Sequence, residues 1–328
     1  MASQTPFERL TPDHVLSCLE AEGLTLDARL MALNSYENRV YQVGQEDGPP
    51  LIAKFYRPER WSDDALLEEH AFTEELATLD IPAVPPLRDA RGATLRKSED
   101  GLRFALYPRV AGRAPNLEDE AALAILGRYL GRIHAVGVLK PFAHRPALTV
   151  ASFGHDSRRF LLESGLIPFQ LETAYDTLSA DLLALIEARF ADWQPPTLRL
   201  HGDCHLGNLL WHEEVAHFVD FDDARQGPAV QDLWLFTSGE AEEQAHQLGK
   251  LLEGYEQFHP FDRRALALLE PLRTLRILHH AAWIGRRWED PAFPLAFPDF
   301  DTDRYWSRHI LALREQLGAL QAPVLSVP

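Results

Sequence analysis

Apolar and polar positions along the chain fall into two regimes. Residues 11–24 carry Leu16, Leu19 and Leu24 at helical spacing behind Thr11 and Pro12, which suit a cap and first turn. Two runs of strand length follow, at 39–44 and 51–56, joined by the turn residues Asp47-Gly48-Pro49-Pro50. Helical spacing returns over 63–79, where Leu66, Glu69, Phe72 and Leu76 share one face. After Ile81-Pro82-Ala83-Val84-Pro85-Pro86, strands are expected at 94–97 and 104–107. Beyond residue 112 the pattern is helical: 123–134 with Leu126, Leu130 and Ile133 on one face, 152–190, a segment holding Tyr255, 271–288 and 305–320. It is interrupted by residues 198–234, whose short apolar runs look like buried strands. The pattern is that of an α+β chain. Tyr107-Pro108-Arg109-Val110-Ala111-Gly112 looks like a hinge, although a plain Pro/Gly linker would read the same. The expected division is a sheet lobe over 1–106, a hinge over 107–112 and a larger, mostly helical lobe over 113–328.

The interruption carries the chemistry. A carboxylate at the end of a buried strand is costly unless it binds something. Strands are expected at 209–211 and 217–221, with a loop at 212–216. In an antiparallel pair the start of the first strand lies beside the end of the second, which sets Asn208 next to Asp220. Asp203 lies five positions before Asn208, on the loop leading in. Such hard oxygen donors suit Mg²⁺, which takes one or two carboxylates plus phosphate oxygens and water. The order Asp, Asn five residues later, then Asp on the next strand is that of the kinases. An acidic surface hairpin with a chance asparagine would show the same residue types, but spacing and strand context favour the kinase arrangement.

Lys54 stands inside an apolar strand, where Leu51, Ala53 and Phe55 face one way and Ile52, Lys54 and Tyr56 the other. It is either a snorkelling edge lysine or the lysine that meets the α- and β-phosphates of ATP and pairs with a helical glutamate. The hairpin favours the second. Glu69, on the core face of its helix, is the chosen partner; Glu68 points elsewhere and is expected in solvent. No glycine-rich G-x-G-x-x-G loop precedes Lys54. In its place stands Asn34-Ser35-Tyr36-Glu37-Asn38-Arg39, where Ser35 is the best candidate contact to a phosphate.

Composition narrows the partners. The 328 residues suffice for two sizeable cores, and a net charge of −17 argues against nucleic acid or an anionic membrane as partner. Two cysteines, Cys18 and Cys204, fit a reducing compartment rather than a disulfide scaffold. MASQTPFERL has no basic and apolar leader features, and no apolar run reaches membrane-spanning length. A monomer is expected.

His201-Gly202-Asp203 and the D-aromatic-D of Asp220-Phe221-Asp222 resemble the aminoglycoside phosphotransferase-like branch of the kinase fold. NSYENRVYQ, KFYRPERW, LHGDCHLGN, DDARQGPAVQDLW and RRWEDPAFP together resemble the bacterial stress response kinase A family, along nearly the whole chain. The resemblance implies a bilobal protein-kinase-like fold and an ATP-dependent, cytoplasmic serine/threonine protein kinase, autophosphorylation included, acting in stress survival. It implies Asp203 and Asp220 as active-site residues, Asn208 and Asp220 on magnesium, and Ser35 beside ATP. Asp232 is implied as a structural hydrogen-bond partner of the catalytic loop. His205 either steadies the γ-phosphate or braces the loop. Arg286 and Arg287, in the insert at 286–294, are expected as salt-bridged supports rather than substrate contacts. Two other functions share the residues: a small-molecule kinase for an amine-containing alcohol, as in aminoglycoside, choline or homoserine kinases, and a non-catalytic nucleotide-binding scaffold. Intact Lys54, Asp203, Asn208 and Asp220 argue against the scaffold.

Overall fold

A computed structural model describes residues 6–327; the first half of the MASQTPFERL segment lies outside the described residues. The chain forms two compact units, each described on its own. The first comprises the residues through 115, together with 142–145 and 206–224. The second comprises 116–141, 146–205 and 225 onward. The acidic hairpin, placed by the sequence reading within 113–328, groups with the sheet unit.

The first unit is built on helix α1 (Pro12–Ala21) and strands β1 (Leu26–Ala32), β2 (Arg39–Gln45) and β3 (Leu51–Phe55). Helix α2 (Asp63–Thr78) and strands β4 (Arg96–Lys97) and β5 (Arg103–Pro108) follow. The five strands form one antiparallel sheet in the order β1-β2-β3-β5-β4. Thr11 caps α1 by accepting from the His14 amide, and Ser62 caps α2 by accepting from the Ala65 amide. Strand β1 escaped the sequence reading because most of its residues are half-buried or exposed on both faces, leaving no alternation to read. Leu51, Ala53 and Phe55 pack with Val15, Leu19, Val43, Phe104 and Leu106 in one core. Tyr56 packs with Leu66 and Ala105, so the sheet face that carries Lys54 is the one α2 covers.

The hairpin is tighter than expected. Strand β7 (Leu209–His212) pairs with β8 (Val215–Phe218) across a two-residue turn. Its residues Glu213 and Glu214 both adopt positive φ, at 48° and 63°, the geometry of a type I′ turn. The second strand therefore starts at Val215 and ends at Phe218, before Asp220. Just beyond α2, the Phe218 amide donates to the Pro82 carbonyl and the Val84 amide donates to the Phe218 carbonyl, which fixes the end of β8.

The second unit holds α3 (Glu120–Gly137), α4 (Asp156–Glu163), α5 (Phe169–Asp192) and strand β6 (Leu198–Leu200), which pairs with β9 (Arg225–Gly227). It continues through α6 (Val230–Leu233), α7 (Ala241–Tyr255), α8 (Leu269–Gly285), α9 (Ala292–Ala296) and α10 (Asp303–Gln321). In the insert, Arg286 donates to the Asp156 carbonyl and lies over the Phe160 ring, while Arg287 donates to the Trp283 carbonyl and lies over the Trp283 ring. Through these contacts both arginines support the fold. No helix among the described residues is long and apolar enough to cross a membrane.

Helices α3 and α7 touch backbone to backbone through glycines. A Cβ on Gly127 would sit 1.9 Å from the Leu251 carbonyl oxygen, and one on Gly254 would sit 1.9 Å from that of Ala124. Gly127→Ala must push the helices apart and is expected to destabilise the fold by about 1–3 kcal/mol, as overpacking does. Urea unfolding checks this; a midpoint equal to that of the parent chain would contradict the close approach.

Candidate active site

Strand β3 delivers Lys54 into the first unit with its side chain 8% exposed. Its Nζ lies 2.7 Å from Asp220 Oδ1 and 3.5 Å from Asp222 Oδ1. Burial works against the ammonium, but the two aspartates outweigh it and raise its pKa above the ordinary lysine value. The pairing expected with Glu69 is not the one found. Among the described residues Lys54 makes no direct ion pair with Glu69, which acts on it through space. Glu69 is buried on the core face of α2, as its spacing predicts, and its Oε2 has no hydrogen-bond partner. Burial pushes its carboxyl up to about 7, against the opposing pull of Lys54 and Arg145.

Beside it, His70 joins a buried chain of hydrogen bonds, with Thr94 Oγ1 at 2.9 Å from Nδ1 and the Tyr56 hydroxyl at 2.7 Å from Nε2. The Tyr56 and Tyr107 hydroxyls lie 2.8 Å apart. Burial, reinforced by Lys54, pushes His70 down to about 3, so its imidazole is neutral.

Asp220 follows β8 in a left-handed conformation, φ 60° and ψ 62°, which aspartate tolerates better than most residues. Its side chain is 51% exposed. The Val219 amide donates to the Asn208 carbonyl at 3.0 Å, so Asn208 stands opposite Val219, the residue before Asp220, at the base of the hairpin.

Asp222, two residues on, is buried and held from several sides. Asn38 Nδ2 donates to its Oδ2 at 3.1 Å, and Arg60 binds the same carboxylate while its other nitrogen reaches Asp223 at 2.9 Å. Burial alone would raise the Asp222 pKa; Arg60 and then Lys54 hold it below the usual range. Arg145 donates from its side chain to the backbone carbonyls of Asp222 and Ala224.

Glu68 is only partly in solvent. It points away from Lys54 as expected, but accepts the amides of Ala143, His144 and Arg145 at 2.5, 2.7 and 2.8 Å. The carboxylate satisfies three donors in a row and ties α2 to the arginine behind the Asp222 backbone.

The segment that replaces a glycine-rich loop is fastened rather than free. Ser35 donates to the Asn38 carbonyl at 3.2 Å, and Asn38 Oδ1 accepts the Arg57 amide at 3.0 Å. Glu37 pairs with Arg57 at 2.8 Å.

In the second unit, β6 leads into the loop of His201, Gly202, Asp203, Cys204 and His205. Asp232 accepts the amides of His201 and Gly202 at 2.8 and 2.9 Å, the structural role its motif implies. His134 stands 3.3 Å from the same carboxylate and 2.9 Å from the Tyr255 hydroxyl. Asp203 receives Arg276 from α8 at 2.6 Å and His205 Nε2 at 3.4 Å. Cys204 is a fully buried free thiol, its pKa pushed up by burial and by Asp232 and Asp203.

Sequence reasoning assigned no role to Asn38, Arg60, Asp222, Arg145 or Arg276. Asn38 and Arg60 lie in the singled-out motifs NSYENRVYQ and KFYRPERW, so a signal existed. Arg276 sits in PLRTLRILHH beside Arg273, with nothing to tell the two apart.

The raised Glu69 carboxyl gives a stability test. Its folded value of about 7 exceeds its ordinary 4.5, so between those pH values the folded chain holds a proton that the unfolded chain has lost. Stability from this group is therefore highest below the lower value and falls as pH rises toward the upper one. Glu69→Gln cannot lose that proton. The melting temperature of the variant relative to the parent is expected to climb from pH 5 to 7 and level off above. A difference independent of pH would contradict the assignment.

Residues 29–269 match the phosphotransferase enzyme family. The chain is 41% identical over 321 residues to stress response kinase A of Escherichia coli (strain K12), covering 98% of this chain and 97% of that protein. It is 41% identical over 322 residues, with the same shares, to serine/threonine protein kinase RdoA of Salmonella typhimurium (strain LT2). Among solved structures, an amicoumacin kinase in complex with AMP-PNP, Ca²⁺ and Ami superposes with a TM-score of 0.75 at 19% identity over 96% of each chain, a likeness of fold. Carrying the family pattern over most of its length and matching these relatives nearly end to end, the chain belongs to the stress response kinase A family of phosphotransferases.

Proposed function

We propose that this phosphotransferase moves the γ-phosphoryl group of ATP to serine or threonine hydroxyls of proteins, itself included, in a cytoplasmic stress response. The observation that carries the reading is the buried Lys54 ammonium 2.7 Å from a half-exposed Asp220. A buried cation beside an accessible carboxylate is the pair that kinases use for nucleotide phosphates and their metal. The serine/threonine acceptor is supported by the serine/threonine protein kinase among the relatives.

In this reading Lys54 orients the α- and β-phosphates, with Glu69 behind it as a source of negative potential. Ser35 contacts ATP from the fastened segment. Asp220 and Asn208, oxygen donors adjoining at the hairpin base, fit Mg²⁺, a cation that takes few protein ligands and completes its shell with phosphate and water. Bound there, Mg²⁺ would neutralise charge that builds on the phosphates. Asp203 accepts the hydrogen bond of the acceptor hydroxyl and takes its proton. The bond from the γ-phosphorus to the bridging oxygen breaks, the bond to the acceptor oxygen forms, and ADP leaves. Arg276 and His205 hold the Asp203 carboxylate in place.

Asp203→Ala is expected to lower kcat by about 10²–10⁴, the range for a lost general base. ATP affinity should change little. Collapse of ATP affinity with kcat preserved would mean that the roles of Asp203 and Asp220 are exchanged. Asp220→Asn should abolish transfer, and near-normal turnover of the purified variant would remove it from the metal site. Incubation with labelled ATP, general protein substrates and a panel of amino alcohols tests the acceptor. Label on protein serine or threonine, absent with Asp203→Ala, is expected. Label confined to an amino alcohol would overturn the protein-kinase reading.

A further inference from the structure

Lys54 has two carboxylate partners of different character. Asp220 is half-exposed and is the proposed metal ligand; Asp222 has a side chain only 5% exposed and is locked by Arg60 and Asn38. A metal that recruits Asp220 draws a carboxylate away from a buried ammonium. An uncompensated buried ammonium is strongly unfavourable, so a second anion must stay in place.

We infer that Asp222, rather than Glu69, is the positioning residue that holds Lys54 toward the phosphates while Asp220 serves the metal. The inference rests on the kinase reading above. Three observations carry it. The Asp222 Oδ1 is already 3.5 Å from Lys54, whereas Glu69 makes no ion pair with it among the described residues. Arg60 and Asn38 both act through the other oxygen, Oδ2, which leaves Oδ1 to the lysine. The Asp222 backbone is fastened separately, through its carbonyl, by Arg145. Glu69, by contrast, has its carboxyl pushed up by burial, against the pull of Lys54.

The same geometry gives Arg60 a defined task. It neutralises Asp222 enough to keep the carboxylate from drawing Lys54 wholly to itself, and its second nitrogen pins Asp223. The motif KFYRPERW, which contains both Lys54 and Arg60, thus supplies the phosphate-facing cation and the clamp on its anchor.

The test uses the full chain and equilibrium binding of a fluorescent ADP analogue, with magnesium and in EDTA, beside thermal melting. Binding by the parent chain tests the kinase reading itself; its failure would end that reading whatever the variants do. The ranking of variants tests Asp222. The double variant Arg60→Met with Asp222→Asn removes both buried charges together and is expected to melt near the parent. Its magnesium-dependent affinity should nevertheless fall by about tenfold or more, the scale of losing one buried ion-pair partner. Glu69→Gln should lose less than about threefold, under half of that free energy. A purely structural role for Asp222 predicts that affinity recovers along with stability; recovery would overturn the inference, as would a Glu69→Gln loss equal to that of the double variant. Arg60→Lys keeps a cation beside Asp222 and gives an independent reading should the double variant fail to fold. Affinity within about threefold of the parent is expected there. A tenfold loss would assign the effect to Arg60 alone and overturn the role of Asp222.

Discussion

A single buried ammonium organises the first unit. Lys54 is placed by β3 on the sheet face that α2 covers, and a charge there is tolerable only if anions surround it. The loop after β8 provides them, and that loop is in turn gripped by Arg60, Asn38 and Arg145. Glu68 holds the segment that carries Arg145 through three consecutive amides. Sheet, helix, loop and the 142–145 segment are therefore joined by charge rather than by apolar packing alone. Such networks fix geometry, because each member left unpaired would carry the full cost of its desolvation.

The second unit positions Asp203 by different means. There the backbone is held first. Asp232 takes two successive amides of the loop, and buried His134 and Tyr255 back that carboxylate. The glycine contacts between α3 and α7 set the spacing from which His134 and Tyr255 project. Only then do Arg276 and His205 reach the Asp203 side chain. Asp220 and Asp222 in the first unit and Asp203 in the second thus rest on separate supports, one electrostatic and one built largely from backbone hydrogen bonds.

Much of this was legible in the residues. The α+β order, the core face of α2, the alternation on β3 and the nearness of Asn208 to Asp220 all follow from spacing, because period and register are local properties. The partner of Lys54 was not legible. Glu69 has the right face, but which carboxylate approaches an ammonium depends on the path of a loop 166 residues away. Glu68 looked solvated because nothing in the sequence brings the 143–145 amides to it across 75 residues. The two-glutamate turn at 213–214 was hidden for another reason: both residues adopt positive φ without glycine or asparagine to announce it. Arg276 lacked any pattern at all, since a cation on a partly buried helix reads the same whether it faces solvent or a loop carboxylate such as Asp203.

The thiol of Cys204 has a use of its own as a reporter. It is shut inside the loop next to Asp203, fully buried and held in its protonated form. A modifying reagent attacks the thiolate and needs access, so it reacts only in the small fraction of molecules whose loop has come open. The rate of its labelling is therefore a clock for local unfolding of the loop that carries Asp203. Cys18 sits in the other unit, on the buried face of α1, and its separate rate gives an internal reference. With only these two cysteines in the chain, the native sequence is already a two-channel probe of where the molecule breathes.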